Sequence, residues 1–73
     1  MNNNFLKDIG NGIYLTDEEE NILIKYNIDY KNCKSVSELI FRLEQYLNEK
    51  DNNDLDMIQM RLAEFNYYNN TNK

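Results

Sequence analysis

The chain has no histidine, no proline and no tryptophan, and it has a single cysteine, Cys33. The lone cysteine excludes a disulfide within the chain. Without histidine or a cysteine cluster, the usual ligands of a structural or catalytic metal are missing. No serine or threonine sits beside a plausible base, so a nucleophile would have to be Cys33, acting without histidine. Lys31 and Lys34 flank Cys33, and nearby cations lower a thiol's pKa. The simpler reading of Cys33 is a small buried apolar residue. No cofactor and no enzymatic activity are expected.

Cations are also scarce. Eight Lys and Arg stand against thirteen Asp and Glu, for a net charge of −5. Most nucleic-acid affinity comes from neutralising phosphates, so this balance argues against DNA or RNA binding. The densest basic segment holds Lys25, Lys31 and Lys34, interleaved with Tyr26 and Tyr30. It is the candidate basic patch should the chain be a small nucleic-acid-binding regulator. The acid run Asp17–Glu20 raises the opposite alternative, an acidic mimic of nucleic acid that inhibits a basic protein.

Long hydrophobic runs are absent too. No stretch approaches the ~20 apolar residues that a membrane span needs. Residues 1–15 contain no apolar run of signal-peptide length, and a lone thiol suits a reducing compartment. A cytoplasmic protein is expected, with Asn69-Asn70-Thr71 a chance match to a glycosylation sequon. Asparagine occurs fourteen times and alanine once, at Ala63. The common residues have AT-rich codons, which points to an AT-rich bacterium or one of its phages or mobile elements.

What the chain does have is apolar residues at helical spacing. At 73 residues it is expected to be one domain, frayed at residues 1–4 and 69–73. A chain this short buries only about 60% of its unfolded surface, so it needs regular helix packing or a partner chain. The pattern predicts an all-α, three-helix domain with helices over 16–27, 35–50 and 54–68. The last two form an antiparallel hairpin.

Thr16 with Glu19 and Ser35 with Glu38 read as capping boxes that open the first two helices. Asp17, Glu18 and Glu19 fall in a first turn, where the helix dipole favours negative charge. Asn27 reads as a helix stop. The third helix is expected to be capped by Asn53 or Asp54. The buried stripes are Ile22, Leu23 and Tyr26; Val36, Leu39, Ile40, Leu43, Tyr46 and Leu47; and Leu55, Ile58, Leu62 and Phe65. Ile28, Tyr30 and Cys33 should plug into the core from the 27–34 connection. Phe5, Leu6 and Ile9 have the spacing of a short N-terminal helical turn, broken by Gly10-Asn11-Gly12. Ile13–Leu15 then lies over the core without a strand partner. Asp51–Asp56 superficially suggests a calcium loop. It fails that pattern, with Leu55 at the fifth position and Asp56 at the glycine position.

Once the stripes are paired, Phe41, Met57, Met60, Tyr67 and Tyr68 are left over. Methionine and aromatic side chains outside a core stripe are characteristic of interfaces. They are the candidate interface of a non-enzymatic protein-interaction module, such as an adaptor, an inhibitor or a regulatory subunit. The expected partner is another protein, a second copy in a homodimer, or both.

Overall fold

The computed structural model describes residues 5–71, with side chains through Tyr67. The element order is β1 (Lys7–Asp8), β2 (Tyr14–Leu15), α1 (Asp17–Lys25), α2 (Val36–Glu49) and α3 (Asn53–Thr71). The fold is a small three-helix domain, as the apolar periodicity predicts. Among the described residues, no helix is long and apolar enough to cross a membrane.

The start of the chain departs from expectation. The predicted helical turn over Phe5–Ile9 is instead one arm of a β-hairpin. Lys7 pairs with Leu15 and Asp8 with Tyr14, antiparallel. The reversal is made by Gly10, Asn11 and Gly12, all at positive φ (102°, 58° and 77°). Two glycines and an asparagine tolerate that region, so the segment that breaks a helix also turns a hairpin. Asp8 Oδ1 accepts from the Gly10 N–H at 2.9 Å, and Asn11 Nδ2 donates to the Cys33 carbonyl at 2.9 Å, tying the loop to the 27–34 connection.

Helix α1 is framed by local chemistry. Thr16 accepts from the Glu19 N–H at 3.1 Å, and Glu19 accepts from the Thr16 N–H at 3.0 Å, completing the capping box. At the other end Asn27 takes φ 59°. The Ile28 N–H donates to the Leu23 carbonyl and the Asn27 N–H to the Ile24 carbonyl. These two bonds make a Schellman motif, with asparagine in place of the usual glycine.

The second capping box is only half made. Ser35 Oγ accepts from the Glu38 N–H at 3.2 Å, but the Glu38 carboxylate accepts from the Lys34 N–H at 2.9 Å and not from Ser35. It also bonds Arg42, one turn on, at 3.3 Å. The cap of α3 is Asn52, not Asn53 or Asp54. Its Oδ1 accepts from the Leu55 N–H at 3.0 Å. All three residues are competent caps, and the helix starts one position earlier than predicted. It also continues to Thr71, past the expected end near 68, since neither glycine nor proline interrupts it.

Ten apolar residues close the core: Ile13 and Leu15 from the hairpin, Leu23 from α1, Tyr30 and Cys33 from the connection, Leu39 and Leu43 from α2, and Leu55, Ile58 and Leu62 from α3. Ile22, Tyr26, Ile28, Val36, Ile40, Tyr46 and Leu47 pack around them. Helix α2 has its largest contact with α3, and α1 lies more lightly on α3. Gln59 Nε2 reaches the Ile40 carbonyl across the α2–α3 seam, as an antiparallel register about the Lys50–Asn52 link requires. Phe65 meets the Tyr14 ring edge-on, with centroids 5.6 Å apart. This contact joins the hairpin to α3.

Candidate functional site

The light packing of α1 on α3 leaves a groove between them of about 540 Å³. Its apolar lining comes from Leu6 before β1, Ile22 on α1, and Met57 and Ile58 on α3. Ile58 is buried, while Leu6 and Met57 are exposed, Met57 to 61%. The groove therefore has a buried floor and an exposed, polarisable wall, of the kind methionine supplies at adaptable surfaces.

One end of the groove is held by a side-chain clamp. The Arg61 guanidinium grips Glu19 in two-pronged fashion, Nε to Oε2 at 2.6 Å and Nη2 to Oε1 at 2.8 Å. The same Nη2 donates to the Tyr14 carbonyl at 2.8 Å. The hairpin and the first turn of α1, neighbours in the chain, are tied here to the middle of α3, more than 40 residues further on. The planar fork of arginine matches both Glu19 oxygens, a bidentate geometry that the point charge of a lysine does not reproduce.

A second cluster braces the hairpin against α1. Lys7 Nζ lies 2.6 Å from both Asp17 Oδ1 and Glu20 Oε1. Tyr30 donates its hydroxyl to Glu20 Oε2 at 3.1 Å. Hydrogen bonding to Asp17 first, then to Glu20, pushes the Lys7 ammonium well above its usual range. The bond from Lys7, helped by Tyr30 and opposed by partial burial, holds the Glu20 carboxyl below its ordinary 4.5. Burial first, then the bond to Glu20, raises the Tyr30 phenol above 10.0.

The sign of the pH dependence follows. The stabilisation at Glu20 is present above its unfolded value and is lost as pH falls through the lower folded value. That at Lys7 and Tyr30 is full below their unfolded values and is lost as pH rises through the raised ones. The cluster should therefore contribute no slope between about pH 6 and 9, and a loss of stability below about pH 4.5 and above about pH 10. Urea midpoints measured from pH 3 to 11 check this, with Glu20→Gln expected to flatten the acid limb and to reduce the alkaline one, where Lys7 keeps Asp17. Equal limbs in wild type and variant contradict it.

These two clusters account for most of the acid run. Asp17 and Glu20 are engaged by Lys7, and Glu19 by Arg61. Glu18 alone has no hydrogen-bond or ion-pair partner among the described residues, and it lines the groove. Asp54, in the first turn of α3, is also without such a partner among the described residues and lines the opposite side.

Of the sequence-predicted interface residues, Phe41, Met57, Met60 and Tyr67 are all exposed. Only Met57 opens into the groove. Met60 follows one turn along α3 and Tyr67 two turns further, while Phe41 is on α2. The side chain of Tyr68 lies outside those described. Phe5, Leu6 and Ile24 join the exposed apolar set. Leu6 is absent from the sequence-predicted interface, since the spacing of residues 5–9 reads only as a helical turn.

The candidate basic patch is exposed. Lys25 Nζ lies 5.5 Å from the Tyr26 ring centroid and Lys31 Nζ 6.0 Å from that of Tyr30, both within cation–π range. Asp29 and Glu38 are interspersed with these lysines. The Cys33 thiol is buried and donates to the Asp29 carbonyl at 3.3 Å. Burial pushes it above its ordinary range, and the neighbouring Arg42 only partly opposes this. The protonated form is favoured, contrary to activation by Lys31 and Lys34. At the α2–α3 link, Asn52 spends its side chain on the helix cap. Among the described residues, no group of three or more Cys, Asp or Glu is placed to hold a metal ion. Compared with models of known families, with curated proteins and with solved structures, the chain matches none.

Proposed function

We propose that this protein is a non-enzymatic contact module, an adaptor, inhibitor or regulatory subunit that acts in the cytoplasm by binding another protein. The observation that carries the reading is the division of its apolar residues. Ten close a complete core, yet Phe5, Leu6, Ile24, Phe41, Met57, Met60 and Tyr67 stay exposed. Leu6 and Met57 line one groove with Ile22 and Ile58. Single exposed apolar residues are ordinary, but apolar side chains gathered round a concave surface mark binding sites.

The engagement of Asp17, Glu19 and Glu20 by internal cations favours contact over mimicry of nucleic acid, because those carboxylates support the fold. The dense acid run has a structural account in helix capping and in the bracing of the hairpin.

The contact surface is α3 and the groove beside it. Met57→Ser and Met60→Ser together should weaken association with the partner, or self-association, at least tenfold, since buried apolar anchors carry most interface energy. Helicity by circular dichroism should be unchanged, because both side chains are exposed. Unchanged association would show that the assignment is wrong.

A further inference from the structure

We propose that the α1–α3 groove docks a cationic amphipathic helix of a protein partner. Its apolar side chains enter between Leu6, Ile22 and Met57, and its Lys or Arg residues reach Glu18 and Asp54. This rests on the contact-module reading and names the partner's chemistry.

The charge of the partner follows from what the fold leaves unspent. Of the four acids opening α1, Lys7 and Arg61 engage three. Glu18 remains and lines the groove, and Asp54 lines it from the first turn of α3. The helix dipoles account for acids at these turns. They do not supply cations, and the one arginine in the groove is already committed to Glu19 and to the Tyr14 carbonyl. An apolar concavity flanked by two unpaired carboxylates complements apolar residues flanked by positive charge. A second copy of this chain would bring a net charge of −5 to the same carboxylates, which opposes self-association there.

The groove wall explains why the occupant is a helix. It is built from side chains of two helices and of Leu6. An extended peptide laid on it would turn unpaired backbone N–H and C=O groups toward an apolar surface, at substantial cost. The hairpin offers no alternative edge, since β1 is two residues long. A helix satisfies its own backbone and presents side chains at i, i+3 and i+4, the usual way an apolar groove is filled.

The test titrates the ¹⁵N-labelled full chain with a capped synthetic helix of leucine and lysine, leucines at i, i+3, i+4 and i+7. Two peptides with glutamine or glutamate in place of lysine serve as comparisons. The proposal expects the lysine peptide to move the amide signals of Leu6, Ile22 and Met57, and the glutamate peptide to leave them in place. Glu18→Gln with Asp54→Asn should weaken binding about tenfold, since each partly exposed charge pair contributes up to about threefold to fivefold. Glu44→Gln with Glu49→Gln, on exposed positions of α2, should change it less than about twofold. Equal loss from both pairs of substitutions would reduce the binding to general charge attraction and overturn the proposal. So would equal binding of the glutamine peptide, or no binding at all. If no cationic helix binds but Met57→Ser still abolishes capture of a natural partner, the helix assignment fails and the contact function stands. If Met57→Ser changes no capture either, both fail.

Discussion

Leu43→Ala lowers the melting temperature by roughly 12–24 °C and stability by about 3 kcal/mol. Leu43 is fully buried in the middle of α2 and belongs to the cluster that joins both partner helices and the hairpin. Truncation removes three carbon atoms from a close-packed interior and leaves a cavity that the short helices on either side cannot fill by collapsing. A domain of this size has only about 4–11 kcal/mol in total, so the loss is a large share. Phe41→Ala, two residues earlier and exposed, should cost less than about 0.5 kcal/mol. Thermal melts of the two variants followed at 222 nm make the comparison. Similar losses in both would mean that Phe41 is packed and that the division into core and free surface is wrong.

Arg61→Met should cost about 2 kcal/mol. Removing one partner of a fully buried ion pair costs about 3–5 kcal/mol. Here the side chains keep 30% (Arg61) and 13% (Glu19) of their exposure, so solvent screens the loss. Three hydrogen bonds disappear together, and the Glu19 carboxylate keeps only the Thr16 N–H. Arg61→Lys preserves charge but not the fork, and should recover about half the loss. In a double-mutant cycle with Glu19→Gln, the two residues should couple by about 1 kcal/mol or more. Additive effects would mean that the clamp is not formed in solution. Because Arg61 also lines the groove, its loss should loosen the α1–α3 spacing.

The three helices were legible because their signals are local. Thr16 and Ser35 announce helix starts within four residues, and the stripes through Leu23, Leu39, Leu43, Ile58 and Leu62 repeat at a single period. The hairpin was not legible. Strands of two residues carry no alternation, and pairing of Lys7 with Leu15 depends on a backbone path that three positive-φ residues create. Leu6, just before β1, was not singled out for the same reason. The Glu19–Arg61 clamp spans 42 positions, and nothing in a single sequence links such a pair.

The site was partly visible. Met57 stood out because it falls beside the α3 stripe, and it does line the groove. Phe41 stood out for the same reason, yet is not part of that groove. Periodicity tells which residues leave the core but not how neighbouring helices gather them. Glu18 was hidden among four acids, and only the structure distinguishes the carboxylate without an internal cation from its three engaged neighbours.

The central claim is that the protein acts by contact through the groove side of α3. The most direct test is affinity capture of the tagged full chain from lysate of its source organism, with and without nuclease, beside Met57→Ser and Phe41→Ser variants, read by mass spectrometry. One stoichiometric protein partner is expected that survives nuclease, is lost with Met57→Ser and is retained with Phe41→Ser. No partner, a partner that disappears with nuclease, or one held equally by Met57→Ser would contradict it.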